Sequence, residues 1–224
     1  MIAEANITVV VISSKEDFKD IESFIDDLPK LMQKVIVLTE QGANSEFVKE
    51  INPFTKVYKY GYEQFSFSEA RNWANEQVKT DWIISLDMDE RICLREEELI
   101  KLKSCPDSIG GFQIPILNFD MHSQLISKHE AVRIFRKGIK WKYHVHEDIS
   151  EDLEEAGYNL AKHSIVIKHF GYEDLNAPKY YKKLKRNYGL SLKDIIKYPN
   201  DLYVRNNLHD IITGLRRFEN DNSG

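Results

Sequence analysis

Cysteine is nearly absent from this sequence. Cys93 and Cys105 are its only two among 224 residues; one lies in a charged stretch and the other precedes Pro106, with no metal-ligand spacing and no partners for a disulfide framework. That scarcity fits a reducing compartment, and the expected location is cytoplasmic. A surplus of positive charge is also missing: 31 Lys and Arg face 36 Asp and Glu, a formal charge of -5. No basic field exists to gather nucleic acid, so nucleic acid is not an expected partner. Long apolar runs are lacking too, none approaching the roughly 20 residues that span a bilayer. The opening Met1-Ile-Ala-Glu4 has no positively charged leader segment, so any membrane contact is expected to be peripheral.

With 42% hydrophobic and 30% charged residues, the chain has the composition of a folded globular protein. Its length suits one main domain with an appendage. Ile7-Thr-Val-Val-Val-Ile12 is a β-branched run that reads as a strand covered on both faces. Glu16 to Leu28 follows with Phe18, Ile21, Ile25 and Leu28 at helical spacing, and Lys34 to Leu38 completes a β-α-β unit, which implies parallel strands. Lys56 to Tyr60 is a further strand. Ser66-Phe-Ser-Glu69 has the form of a capping box opening a helix that aligns Phe67, Ala70, Ala74 and Val78 on one face. The strand Asp81-Trp-Ile-Ile-Ser-Leu-Asp87 then ends abruptly in Asp87, Asp89 and Glu90.

From about Gly110 the helices drop out. Gly111 to Phe119, Ala131 to Arg136 and Ser164 to His169 read as strands of an antiparallel or mixed half-sheet, and Trp141 to Ile149 fits no clean period, as functional loops often do. Tyr180, Leu184, Tyr188, Leu192 and Ile195 form a helical stripe after Pro178; Tyr198-Pro-Asn200 breaks it, and Leu208, Ile211, Ile212 and Leu215 mark a second helix. Lys179, Lys182, Lys183, Lys185 and Arg186 surround the first of these helices and read as a solvated face. The expected fold class is α/β, a mixed central sheet flanked by helices with a C-terminal helical extension. The expected division is residues 1–172 and 173–224.

In open α/β sheets, ligands collect at the carboxyl ends of the strands. Asp87 and Asp89 stand there, at a spacing that lets two carboxylates approach one hard divalent cation and the phosphates it carries. By itself Asp-x-Asp fits a solvated turn equally well.

The surrounding residues add a resemblance. Phe67-Ser-Glu-Ala-Arg-Asn72 followed by Asp81-Trp-Ile-Ile-Ser-Leu-Asp-Met-Asp-Glu90, then Val132-Arg-Ile-Phe-Arg136, His144-Val-His-Glu147 and Ile167-Lys-His-Phe-Gly-Tyr172 resembles, in order, the motif set of family-2 glycosyltransferases with the Rossmann-like GT-A fold. The nearest branch by this pattern is β-1,4-glucosyltransferase-like. The resemblance runs from about Ile7 to Tyr172. It implies transfer of a sugar from a nucleotide-diphosphate sugar, assisted by Mn²⁺ or Mg²⁺ and with inversion, to a saccharide, lipid-linked or protein acceptor. One departure stands out: where members carry Asn-Glu after the first strand and an Asp-Ser-Gly-Ser-x-Asp run after the second, this chain has Ser13-Ser-Lys-Glu16 and Leu38-Thr-Glu-Gln-Gly42.

The resemblance implies individual roles. Asp87 would contact the donor's ribose or sugar, Asp89 would ligate the metal with His169 beside it, and Arg71 would lie near the nucleotide. Glu147 is the first choice of base and Asp148 the second; His146 would orient the acceptor or touch phosphate. Ser13 and Thr39 remain as donor contacts on the nucleotide side. Arg133 and Arg136, taken to share one strand face, would both turn to the diphosphate or both to solvent. Trp141 and Tyr143 read equally as a sugar platform or as core. The tail helices are expected to pack on the main domain or to pair two copies as a homodimer. Two rivals remain: a sugar nucleotidyltransferase, which should carry a Gly-rich basic loop where Ser13-Ser-Lys15 stands, and a non-catalytic nucleotide-sugar-binding protein.

Overall fold

Strand β1 (Ile7–Ser13) is buried at every position. Its alternate side chains feed two cores: Ile7, Val9 and Val11 pack with Phe24 and Ile25 on one side, while Val10 and Ile12 pack with Ala70, Ala74 and Val78 on the other. A continuous β-branched run suits such a position, because every residue meets apolar neighbours whichever way it points. A computed structural model describes residues 6–15, 21–30, 32–120, 122–170 and 178–221. It arranges the strands in a ten-stranded sheet.

The first half supplies α1 (Ile21–Asp26), β2 (Gln33–Gln41), β3 (Glu46–Asn52), β4 (Thr55–Tyr62), α2 (Phe67–Glu76) and β5 (Trp82–Asp87). Strands β4, β2, β1 and β5 lie side by side and parallel, as the crossover reading requires. Helix α2 opens at Ser66, whose Oγ accepts from Glu69 N–H at 3.4 Å. The edge strand β3, antiparallel to β4, was not expected: most of Glu46–Asn52 is exposed and shows no alternation, so only its pairing identifies it. Residues 16–20 of the expected first helix lie outside the described residues.

The second half is mixed, as expected. It comprises β6 (Glu90–Cys93), α3 (Glu96–Lys103), β7 (Ile109–Phe119), β8 (Leu125–Arg136), α4 (Ser150–Glu155), β9 (Asn159–Lys162) and β10 (Val166–His169). β8 joins β5 and β7 antiparallel, β10 runs parallel to β7, and β6 runs antiparallel to β10. The short elements β6, α3, α4 and β9 escaped the sequence reading because each has too few residues to show a period. β6 matters most, since it turns the acidic segment after β5 back into the sheet.

Helices α5 (Pro178–Lys197) and α6 (Leu202–Asp221) close the chain. Pro178 occupies the first position of α5, where a missing N–H costs nothing. Asp201 Oδ1 caps α6 by accepting from Tyr203 N–H at 2.9 Å. The drawn boundary at 172/173 falls in the undescribed stretch. Among the described residues no helix is long and apolar enough to cross a membrane.

Candidate active site

At the carboxyl end of β5 the chain builds an ion network around a buried arginine. Arg71 projects from α2 with its side chain 5% exposed and uses its whole guanidinium edge: Nη1 donates to Ser85 Oγ at 2.8 Å, Nη2 to Asp87 Oδ1 at 2.6 Å, and Nε to Glu147 Oε1 at 3.0 Å. Its face lies 5.2 Å from the Trp141 ring centre. Burial opposes the Arg71 charge, but Asp87 and Glu147 outweigh it and raise its pKa above the ordinary arginine value. Burial alone would likewise push Asp87 up; Arg71, with Arg133 behind it, holds the carboxyl well below the usual carboxylate range. Asp87 is therefore an anion at any working pH.

The turn after β5 is pinned rather than solvated. Glu90, 2% exposed, accepts from Asp87 N–H at 2.9 Å and from Arg133 Nη2 at 2.8 Å. Burial pushes Glu90 up to about 7 against the pull of Arg133. Asp89 projects outward from this turn, and its Oδ2 lies 3.3 Å from His169 Nε2 at the end of β10. The hydrogen bond with Asp89 raises the His169 pKa. On the ring's other side, His169 Nδ1 lies 2.9 Å from Asn118 Oδ1, so Nδ1 carries a proton there, while the hydrogen bond to Asp89 places a second proton on Nε2. A cation could take the place of the Nε2 proton and leave Nδ1–H held by Asn118 as an outer partner. No group of three or more His, Cys, Asp or Glu suited to a metal occurs among the described residues. Asp89 and His169 are two groups, so a cation between them would need its remaining ligands from outside the protein.

The loop carrying Glu147 closes on itself through Lys142 and Asp148, the Lys142 N–H meeting the Asp148 carbonyl at 2.9 Å. Within it Tyr143 and His146 adopt positive φ of 70° and 54°, which non-glycine residues hold only when the surroundings impose it. The surroundings do so from several elements. Asn72 of α2 accepts from Trp141 N–H at 2.7 Å and donates to its carbonyl at 2.9 Å. Asp194 of α5, 2% exposed, accepts from His144 N–H at 2.9 Å and lies 2.7 Å from His144 Nδ1. Tyr143 donates to Asp201 at 2.7 Å, and Tyr203 of α6 donates to the His146 carbonyl at 2.9 Å. Asp148 is occupied locally, accepting from Ser150 N–H at 3.2 Å and Ser150 Oγ at 3.0 Å at the start of α4.

Two clefts meet at Asp87. The first, of about 620 Å³, is lined by Ser13, Ser14 and Thr39 from the ends of β1 and β2, by Tyr62, Phe65 and Phe67, and by Lys185, Arg186, Gly189 and Lys193 of α5. The second, of about 500 Å³, lies between β8 and the Glu147 loop and includes Arg71, His129, Arg133, His146, Glu147, Asp148 and Tyr203. A third hollow, around Lys34 and Thr80, opens at the opposite end of the sheet, away from this chemistry.

No protein-family model matches the chain, and no curated protein matches it either. Solved structures do overlap it loosely. S. aureus TarS 1-349 aligns over 96% of this chain and 73% of its own at 11% identity and a TM-score of 0.45. The same fragment in complex with UDP-GlcNAc aligns over 96% and 74% at 12% identity and a TM-score of 0.47, and a longer TarS structure over 95% and 43% at 14% identity and 0.46. Likenesses this loose assign no chemistry, so the site is read from its own residues.

The structure brings together Ser13, Thr39, Arg71, Asp87, His146, Glu147 and Asp148 around the joined clefts, with Asp89 and His169 beside them. Arg136 does not join them. It pairs with Trp82 at the far end of β5, about 17 Å from Asp87 at strand rise. There it donates to the Ile109 carbonyl at 2.8 Å and stacks on Trp82. The expectation that Arg133 and Arg136 share a face also fails, because a spacing of three puts them on opposite sides of a strand; Arg133 alone reaches Asp87, at 3.5 Å. Trp141 and Tyr143 are buried, 7% and 8% exposed, and Trp141 also lines the second cleft. Lys185 and Arg186 are cleft residues rather than a merely solvated face. Sequence reasoning missed Ser85, Lys193 and Asp194 outright, and gave Glu90 no role beyond the acidic strand end. The burial of Glu90 was signalled only by its place beside the Asp-x-Asp, and Asp194 carried no local signal.

Proposed function

We propose that the chain is a glycosyltransferase of the GT-A type that transfers a sugar from a nucleotide-diphosphate donor, with inversion, to an acceptor hydroxyl or equivalent nucleophile. The single observation that carries this reading is the meeting of two clefts at Asp87, one with the strand-end residues Ser13 and Thr39, the other with the carboxylate of Glu147. Inverting displacement needs a leaving group on one side of the anomeric carbon and a base on the other. A donor in the first cleft and an acceptor beside Glu147 in the second would meet that need, and the ordered motifs of the sequence support the reading.

In this reading the nucleotide lies across β1 and β2, and Asp87 holds the ribose or sugar. A Mn²⁺ or Mg²⁺ ion on Asp89 and His169 would offset the charge of the departing diphosphate. Arg71 bridges Asp87 and Glu147, so one buried cation sets the spacing between donor contact and base. Glu147 takes the acceptor proton; Asp148, bound to Ser150, serves the loop's geometry instead. His146, whose pKa burial lowers, stays neutral near pH 7 and orients the acceptor as a hydrogen-bonding group. Trp141 and Ile149 exclude water from behind the loop.

The test is a panel of nucleotide-diphosphate sugars assayed for nucleoside-diphosphate release with Mn²⁺, with Mg²⁺ and with chelator. Glu147→Gln should keep donor binding while kcat falls about 10²-fold or more. Asp89→Ala should abolish the response to metal. Donor that binds but never turns over with any acceptor mixture would replace this reading with the binding-protein alternative, and an Asp89→Ala enzyme still stimulated by metal would move the ion elsewhere.

A further inference from the structure

The site's own arginines have no charge to spare. Arg71 is paired with Asp87 and Glu147, and Arg133 with Glu90 and Asp87. A nucleotide-sugar diphosphate carries two negative charges and a released nucleoside diphosphate nearly three, so compensation must come from elsewhere. The wall of the nucleotide cleft opposite β1 and β2 holds Lys185, Arg186 and Lys193. Among the described residues none of them pairs with a carboxylate. Lys193 Nζ donates to the neutral Gln64 Oε1 at 3.0 Å, Arg186 spends Nε and Nη2 on Asn187 Oδ1 at 3.1 and 3.0 Å with its fork 4.9 Å from the Phe67 ring, and Lys185 lies 4.6 Å from the Tyr181 ring. Among the described residues, Asp87, already neutralised by arginine, is the sole acid in the lining of that cleft.

Gly189 is the second observation. Residues 185, 189 and 193 follow one another at four-residue spacing and so share a face of α5. Glycine in the interior of a helix is disfavoured relative to alanine, and packing does not demand it here: a Cβ on Gly189 would meet nothing within 4 Å. A bare stretch of helix therefore lies between two lysines, facing open cleft, as a close approach by a ligand requires.

We propose that Lys185, Arg186, Gly189 and Lys193 form a diphosphate clamp for a nucleoside diphosphate and its sugar ester. The inference rests on the glycosyltransferase reading. Lys185 and Lys193 flank the phosphates as point charges, Arg186 offers its remaining N–H groups from its seat on Phe67, and Gly189 gives the phosphates room against the helix. Tyr62 and Phe65, in edge contact at 5.0 Å, offer an apolar wall to the base in place of the acidic and amide residues that Ser13 and Thr39 replace. The charge that the strand-end loops lack is thus supplied by a helix far along the chain, and the same helix stabilises the leaving group as it departs.

The experiment is calorimetric titration of the full chain with UDP and GDP, and with the corresponding monophosphates, in chelator so that metal contributes nothing. Wild type should bind a diphosphate more tightly than its monophosphate, with an affinity that falls as salt rises. Lys185→Gln/Lys193→Gln should weaken diphosphate binding by about tenfold or more and flatten its salt dependence. Gly189→Met should leave the fold at least as heat-stable as wild type while weakening binding by a similar factor, a combination that a purely structural glycine would not give. Diphosphate binding unchanged in both variants would overturn the clamp and leave the glycosyltransferase reading standing. A wild-type chain that binds no nucleoside diphosphate, even with Mn²⁺ restored, would overturn both.

Discussion

Replacing Asp194 with alanine tests whether α5 and the Glu147 loop act as one unit. The buried carboxylate accepts from the His144 backbone N–H, at 2.9 Å to Oδ2 and 3.0 Å to Oδ1, and meets the ring at Nδ1. The neighbouring backbone continues the connection, since the His144 carbonyl accepts from Phe67 N–H at 3.0 Å. Hydrogen bonds to a charged group contribute about 1.5–3 kcal/mol each, and a buried N–H left unpaired costs about 1–3 kcal/mol. Asp194→Ala should therefore cost about 3–5 kcal/mol, which for a chain of this size lowers Tm by roughly 6–20 °C. Asp194→Asn keeps the shape and one oxygen, and the ring can turn to its other tautomer to accept from the new amide, so it should recover about half of that loss. The functional effect should follow the same order. Glu147 lies three residues beyond His144, so the freed loop should lose kcat by about 10²-fold from misplacement, with the asparagine variant intermediate. Thermal unfolding followed by circular dichroism and steady-state transfer kinetics on the three proteins give both readouts. A Tm for Asp194→Ala within about 1 °C of wild type, at an unchanged kcat, would refute the argument that this carboxylate ties helix to loop.

Arg71→Lys should be far from conservative, because one ammonium cannot reach Ser85, Asp87 and Glu147 together; we expect a loss of about 3–5 kcal/mol in urea unfolding together with near-complete loss of transfer. Lys34 offers a pH test away from the site. Buried at 3% exposure, it has its pKa lowered by desolvation to about 8. The folded chain therefore sheds this proton near pH 8, while the unfolded chain keeps it to about 10.5. In that window the unfolded state binds more protons, so stability rises with pH, by at most roughly 3 kcal/mol. Because Lys34 also donates to the carbonyls of Pro29 and Met32, which favour the charged form, the measured rise should fall below that ceiling. Urea unfolding of wild type and Lys34→Met at pH 7.5 and 10 isolates the contribution, and an identical pH dependence in the two proteins would count against it.

The parallel half of the sheet and the place of the acidic cluster were legible in the chain alone. Ile7–Ile12 and Trp82–Leu86 are uncharged, mainly apolar runs long enough to be strands and too short to be helices, and charge begins where the second ends. The helix at Phe67 was legible for a similar local reason: a capping serine and a three-four apolar spacing are properties of one segment. Asn72 stands at the end of the first motif, and its paired bonds to Trp141 fix the backbone of the Glu147 loop. What the sequence could not fix was anything that depends on which segments meet. Arg133 and Arg136 look alike in the chain, yet strand pleat and pairing send one to Asp87 and the other to Trp82. Lys185 and Lys193 have the pattern of any solvated helix face until α5 is laid across the ends of β1 and β2. Asp194 is one acid among many until packing removes its water and leaves the His144 loop as its partner. Periodicity and capping are local and survive in a one-dimensional string, whereas burial and ion pairing join separate elements, Arg71 to Glu147 across 76 positions and His144 to Asp194 across 50, and tertiary contact brings them into being.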